Sequence, residues 1–72
     1  MAEEFRYRDY IIRATPSRLT DGGWTHDGVV SHSLGQLVDQ RKFSAPGKSE
    51  TRAAAVTATL SYGVEMINKG LV

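Results

Sequence analysis

The last third of the chain carries apolar residues at the spacing of an amphipathic helix, and this pattern restricts the possible folds most strongly. At about 100° per residue, these side chains fall within about 40° of one line over five turns. A hydroxyl at Ser49 or Thr51 can cap the first free N–H groups, and Gly70 can end the helix. Such a helix has to pack against another element. The predicted inner stripe consists of Ala53, Val56, Leu60, Val64, Ile67 and Leu71.

Upstream of the helix, the sequence is typical of extended segments separated by turns. β-branched and aromatic residues predict a first strand over residues 4–14. The turn signal Asp21-Gly22-Gly23 precedes a second predicted strand at 24–32. A third is predicted at 37–45 and is closed by Pro46-Gly47, a turn dipeptide.

The alternation of the first strand breaks once, at Arg8-Asp9. Phe5 and Tyr7 share one parity, whereas Tyr10 and Ile12 share the other. One extra residue at the break would form a β-bulge that keeps the aromatic rings on one face. The alternative is that Arg8-Asp9 is the tip of a very tight turn.

These elements predict an α+β fold. We expect a three-stranded antiparallel β-meander in the order 1-2-3, with one C-terminal α-helix packed on one face (β-β-β-α). At 72 residues, the chain is expected to form a single domain over residues 1–72.

Composition excludes several classes of protein. The chain has no cysteine and only two histidines, which argues against a disulfide-stapled scaffold and a structural zinc site. No apolar run approaches the ~18 residues that a membrane span needs. The acidic start, Met1-Ala2-Glu3-Glu4, is unlike the basic start of a signal peptide. We therefore expect a cytoplasmic domain without membrane contact.

The sequence offers little for catalysis. Gly47-Lys48-Ser49 before a helix is similar to the end of a phosphate-binding P-loop, but position 42, where that motif needs glycine, is Lys42. His26 and His32 would lie about 20 Å apart on one strand, too far to share a metal ion. Asp27 would point to the face opposite His26. We expect no catalytic residue, no cofactor and no metal, and hence no enzyme.

A local excess of positive charge precedes the helix. Between positions 41 and 52 there are four basic residues and one acidic residue, Glu50, so the local charge is +3 although the whole chain carries +1. A helix N-terminus attracts anions through its free N–H groups and its dipole. The alternative is that these are ordinary solvated charges. The candidate anion- or nucleic-acid-binding residues are Arg41, Lys42, Lys48 and Arg52.

A second apolar line lies nearly opposite the predicted inner stripe and consists of Ala55, Tyr62 and Met66. The chain is short and lacks staples, so burial against a second subunit would add stability. These residues are therefore the candidate partner interface, in a homodimer or with another protein. The alternative is a mixed, solvated helix face.

One family resemblance covers nearly the whole chain. Its motifs are Gly23-Trp24 at the start of the middle strand, Phe43 in the third strand, and Gly47-x-Ser49 or Thr51 before an alanine-rich helix. With this order of elements, the chain resembles the β-β-β-α lobe of HicB-type antitoxins and short uncharacterised bacterial proteins of the same plan. It departs from the HicB-type lobe at Arg52 and Ala54, where that lobe has glutamates. The short uncharacterised proteins are the closer match and bring no known function, so the resemblance adds an antitoxin-like regulatory protein only as an alternative. From the residues themselves we predict a non-enzymatic interaction module, with weak nucleic-acid or anion binding as the alternative.

Overall fold

A computed structural model describes residues 3–71 and shows a four-stranded antiparallel sheet with one C-terminal helix on one face. Met1 and Ala2 of the acidic start lie outside the described residues, as does Val72. The predicted α+β class is confirmed, but the sheet has four strands instead of three, in the order β1-β2-β3-β4. The elements are β1 (Glu4–Tyr7), β2 (Tyr10–Ala14), β3 (Trp24–Leu34), β4 (Leu37–Ser49) and α1 (Arg52–Asn68).

The fourth strand arises at the break in the first predicted strand. Tyr7 pairs with Tyr10, so Arg8 and Asp9 form a two-residue hairpin turn and not a bulge. Arg8 has a positive φ of 56°, and it is the only non-glycine residue with positive φ among the described residues. A two-residue turn in which only the first central residue has a positive φ is typical of type II′. The backbone twist of this turn type matches the right-handed twist of the two strands that it joins.

Replacing Arg8 with glycine is expected to stabilise the protein by about 1 kcal/mol. A positive φ costs a residue with a side chain roughly 1–2 kcal/mol of stability, and glycine avoids this cost. The substitution also removes the contact between the Arg8 guanidinium and the Tyr7 ring, 5.4 Å from the ring centroid, which reduces the gain. The midpoint of urea unfolding measures the gain. Asp9→Gly is the control and should bring no gain, because Asp9 has no positive φ. Equal midpoints for wild type and Arg8→Gly would contradict this explanation of the turn.

The second hairpin is longer and joins β3 to β4. Leu34 pairs with Leu37 across Gly35-Gln36, and Gly35 has a φ of 65°, again at the first central position. β4 is 13 residues long and forms one edge of the sheet. The molecule measures 42 × 24 × 16 Å, and a strand of this length spans about 43 Å at ~3.3 Å per residue.

The prediction that Pro46-Gly47 closes the third strand is wrong. The register shifts between Thr25 and His26, because Thr25 pairs with Lys48 whereas His26 pairs with Ala45. Pro46 and Gly47 are therefore the extra residues of a bulge, and the strand continues to Ser49. Gly47 takes a φ of 90° there, which a residue with a side chain rarely adopts.

The helix begins and ends close to the predicted positions. Thr51 is the N-cap, and its hydroxyl accepts a hydrogen bond from the N–H of Ala54 at 3.1 Å. Gly70 follows the helix with a φ of 71°, the conformation that commonly ends helices. Of the two caps that the sequence allowed, Thr51 is thus the one used.

The helix face that meets the sheet differs from the predicted inner stripe. Ala53 and Leu71 of that stripe are exposed, and the buried face is rotated by roughly 80° about the helix axis. Small side chains line this face and let the helix backbone approach the sheet, while larger side chains flank it on both sides. The buried residues are Ala55, Thr59, Gly63 and Ile67.

The core lies between this face and the middle strands. Ile12 and Thr59 are fully buried, and the Thr59 hydroxyl donates to the carbonyl of Ala55 at 2.7 Å, so its polar group is satisfied. Ile12, Val30 and Ile67 form the apolar cluster. Half-buried residues pack around it: Tyr7, Tyr10, Phe43, Leu60 and Val64.

Candidate functional site

The structure does not bring the four candidate basic residues together in one cluster. Arg41 and Lys42 are neighbours in β4, so their side chains lie on opposite faces of the sheet. Lys48 lies beyond the bulge and forms an ion pair with Asp21. Arg52 lies at the start of α1 and forms an ion pair with Glu3.

The two ion pairs change the titration of their carboxylates. The hydrogen bond from Lys48, together with one from the N–H of Gly23, lowers the pKa of Asp21 below its usual value. The hydrogen bond from Arg52 lowers the pKa of Glu3, and Glu3 in turn raises the pKa of Arg52. With the Arg41–Asp39 pair in β4, three of the four basic residues are therefore engaged with carboxylates of the same chain.

The candidate partner interface on the helix is placed differently from the prediction. Ala55 has no exposed surface and packs against the sheet, so the prediction that it lies on the outer helix face is wrong. Tyr62 and Met66 are half-buried. The ring of Tyr62 stacks on Phe43 of β4, with centroids 6.0 Å apart. Met66, one turn later, lies on the same side of the helix. Tyr62 and Met66 therefore lie along the side of the helix that faces β4.

A serine–histidine contact that the sequence did not indicate lies at the bulge. His26 is 9% exposed, its Nδ1 lies 3.1 Å from the carbonyl oxygen of Pro46, and its Nε2 lies 2.7 Å from Ser49 Oγ. Because a carbonyl oxygen only accepts, the Nδ1–H of His26 donates to Pro46, and Nε2 forms the hydrogen bond with the Ser49 hydroxyl. His26 and Ser49 are 23 positions apart, and only the bulge brings them together. The imidazole thereby connects both sides of the bulge, and we interpret the contact as structural.

His26→Phe is expected to lower the free energy of unfolding by about 2–3 kcal/mol. The aromatic replacement keeps the bulk, but the carbonyl of Pro46 and the hydroxyl of Ser49 lose their partner in a largely buried place. Ser49→Ala is the matched variant and should cost only about 1 kcal/mol, because it removes one of the two hydrogen bonds. Urea unfolding measures both. An equal loss in the two variants would show that the bond to Pro46 contributes nothing.

The sheet face away from the helix is polar and contains a hydrogen-bonded aspartate. Asp27 accepts from the Ser44 hydroxyl at 2.6 Å and from the Thr25 hydroxyl at 2.8 Å. These bonds lower the pKa of Asp27 below its usual value, the bond from Ser44 more than the bond from Thr25. Because the folded-state pKa is lowered, this group stabilises the fold above its unfolded-state pKa, and the contribution disappears as the pH falls through the folded-state value.

The main chain of β4 has one side that is not used by β3. Leu34 and Leu37 flank a two-residue hairpin turn, so the main chains of these two residues are hydrogen-bonded to each other. Along an antiparallel strand pair, hydrogen-bonded and non-hydrogen-bonded residue pairs alternate. An observed bond supports this alternation, because the carbonyl of Asp27 accepts from Thr15 of the preceding segment at 2.8 Å. The main chain of Asp27 is therefore directed away from β4. Ser44, which pairs with Asp27, does not exchange hydrogen bonds with it and directs its own N–H and C=O outward. The outward N–H and C=O groups belong to Val38, Gln40, Lys42 and Ser44.

This outward side, which we call the β4 edge, begins at an exposed apolar pair. Leu37 is 71% exposed and Val38 is 60% exposed, on opposite faces of the sheet. A long edge strand with free main-chain groups is a template for pairing with another strand. Phe43 and Tyr62 lie beside it on the helix-bearing face. The β4 edge thus combines main-chain polar groups that face away from β3 with apolar side chains.

In comparisons with protein-family models, curated proteins and solved structures, nothing matches this chain. The resemblance to the HicB-type lobe therefore stays a prediction. Within residues 3–71, no helix is long and apolar enough to span a membrane. The same residues bring no three histidine or carboxylate side chains into an arrangement that could hold a metal ion.

Proposed function

We propose that the chain is a small non-enzymatic interaction module that binds another protein segment along the β4 edge. The observation that carries this proposal is the run of outward main-chain groups over residues 38–44, with exposed Leu37 and Val38 at its start. An extended segment that pairs there would satisfy these groups and continue the sheet, as in other cases of strand addition.

The β4 edge fits this role better than the alternative sites do. The nucleic-acid alternative relies on four basic residues, and three of them form ion pairs with carboxylates of the same chain: Arg41, Lys48 and Arg52. The helix alternative relies on Ala55, which is inside the core. Tyr62 and Met66 remain in the proposal as the flank of the β4 edge.

Site-specific photo-crosslinking in cells that produce the chain tests the proposal. A photoreactive benzoylphenylalanine in place of Gln40 is expected to form a covalent adduct with a protein, since Gln40 lies in the middle of the β4 edge. The same group in place of Arg6, which is exposed on β1 at the opposite edge of the sheet, is the control. We expect no adduct or a far weaker one at position 6.

The mass of the adduct identifies the occupant. Adducts that are absent at position 40, or equally strong at positions 6 and 40, would overturn the assignment of the β4 edge. An adduct at twice the mass of the chain indicates a second copy, and any other mass indicates a different protein.

A further inference from the structure

We infer that the partner at the β4 edge is a second copy of the same chain, paired antiparallel in one register that places Gln40 opposite its own copy. This inference rests on the proposed function and adds to it the identity of the occupant. In this register, the main-chain groups that point outward from each copy face each other. Val38 of one copy then lies opposite Lys42 of the other, and both direct their N–H and C=O groups into the new contact.

The charges of β4 are self-complementary about Gln40. Asp39 of one copy lies directly opposite Arg41 of the other, and the two-fold axis produces this pair twice. Both side chains are exposed, 50% for Asp39 and 64% for Arg41, and they share the helix-bearing face with Phe43. Within one chain Arg41 Nε already lies 3.4 Å from Asp39 Oδ2, so the dimer would join two intrachain ion pairs into a ring of four alternating charges. Opposite charges that face each other across two strands stabilise the pairing.

Neighbouring registers lack this complementarity. Moving the axis by one residue to Arg41 places Arg41 opposite its own copy. Moving it to Asp39 places two aspartates opposite each other. Like charges directly opposite each other destabilise a strand pair, so β4 selects the register centred on Gln40. An axis between two residues would bring an outward group opposite an inward one, and the hydrogen bonds would be lost.

The apolar side chains fit the same register. Leu37, which is 71% exposed in the single chain, lies opposite Phe43 of the other copy, again twice. Phe43 is already stacked on Tyr62, so Leu37 of the second copy would cover the edge of this aromatic pair. Both helices lie on the same face of the resulting eight-stranded sheet, and the helix sides that carry Tyr62 and Met66 face the two-fold axis. The dimer would thus cover Leu37, the most exposed of the large apolar side chains in the described residues.

Sedimentation equilibrium on four purified chains tests the inference. The wild type is expected to dimerise at concentrations up to ~1 mM, because a single edge contact is a small interface of low affinity. Asp39→Arg places two arginines opposite each other at two positions, and Arg41→Asp places two aspartates there. Each single reversal is expected to raise the dissociation constant about tenfold or more. The double reversal restores opposite charges and should return the constant to near the wild-type value.

Mixing the two single variants gives the most specific result. Asp39→Arg has arginine at both positions 39 and 41, and Arg41→Asp has aspartate at both. An equimolar mixture should therefore form a heterodimer at a concentration at which each variant alone stays monomeric. Circular dichroism of each variant controls for the fold, and both sites are exposed. A disulfide provides an independent measurement, since the chain has no cysteine of its own. Gln40→Cys should oxidise to a dimer faster than Arg6→Cys, because paired residues in this register are about 5.5 Å apart between Cα atoms.

Each result has a defined consequence. A wild type that is monomeric at ~1 mM overturns the self-pairing, while an adduct to a different protein at position 40 would still support the β4 edge as an interaction site. A dimer that is insensitive to both reversals uses another surface and also overturns the inference. Rescue by the double reversal together with heterodimer formation supports the register.

Discussion

Gly28→Ala is expected to remove about 2–3 kcal/mol from the free energy of unfolding. A Cβ atom at Gly28 would lie 2.8 Å from the carbonyl oxygen of Arg13, 2.8 Å from Thr59 Cγ2 and 2.7 Å from Phe43 Cζ. The first neighbour is main chain of the adjacent strand and the second is fully buried in the helix, so neither moves easily. Overpacking of this kind costs typically about 1–3 kcal/mol. For a chain of 72 residues, this is a large share of a total stability of roughly 4–11 kcal/mol.

Urea unfolding measures this loss as a lower transition midpoint, while the dependence of the unfolding free energy on urea concentration (the m-value) stays unchanged. Gly23→Ala is the control. Its Cβ would lie 3.3 Å from Lys48 Cδ, an atom of a flexible exposed side chain, and Gly23 has no positive φ. We expect a change of less than about 0.5 kcal/mol there, as for surface substitutions elsewhere. Wild-type stability for Gly28→Ala would mean that the helix does not approach β3 as closely as described.

Ile12→Ala is expected to cost about 2–5 kcal/mol, and Gly63→Ala should recover part of that loss. Ile12 has no exposed surface and is the largest fully buried apolar side chain among the described residues. Its truncation leaves a cavity under the helix. A Cβ at Gly63 would lie 2.6 Å from Ile12 Cγ2 and 3.2 Å from Ile12 Cδ1, two atoms that Ile12→Ala removes.

The two substitutions should therefore be strongly coupled. In the wild-type background, Gly63→Ala causes a clash, partly offset by the gain of about 1 kcal/mol in helix propensity. In the Ile12→Ala background the clash is absent, so the same change should stabilise the protein. A double-mutant cycle by urea unfolding is expected to show a coupling energy of at least about 1 kcal/mol. Additive effects would contradict the contact between Ile12 and Gly63.

Local features of the chain were predictable because short-range interactions determine them. The N-cap at Thr51, the end of the helix at Gly70 and the turn before Trp24 follow from side chains that act within four residues. The turn at Arg8-Asp9 was one of two possibilities, since an alternation break alone does not distinguish a bulge from a tight hairpin. The pairing of Tyr7 with Tyr10 resolves it.

The orientation of the helix was mispredicted for a reason of packing. The larger apolar side chains at Val56, Leu60 and Val64 suggested the inner face, yet they occupy one flank. The centre of the contact belongs to Thr59 and Gly63. Thr59 lies close to Gly28, and Gly63 lies close to Ile12, because the two glycines leave room for the helix to approach the sheet. Hydrophobic periodicity measures side-chain polarity and not the distance between backbones, so it could not identify this face.

The sequence by itself determined the α+β class, the C-terminal helix with a hydroxyl cap at one of two positions, and the extended nature of the upstream segments. These features depend on propensity, capping and alternation, which act locally along the chain. Tertiary structure alone decided the buried helix face, the contact of His26 with Ser49 across the bulge, and the ion pairs of Lys48 and Arg52. It also decided that the main-chain groups of every second residue over 38–44 point outward, because the register of β3 on β4 determines which groups face away from β3. Long-range contacts and register are properties of pairs of elements, and no single segment of the chain specifies them.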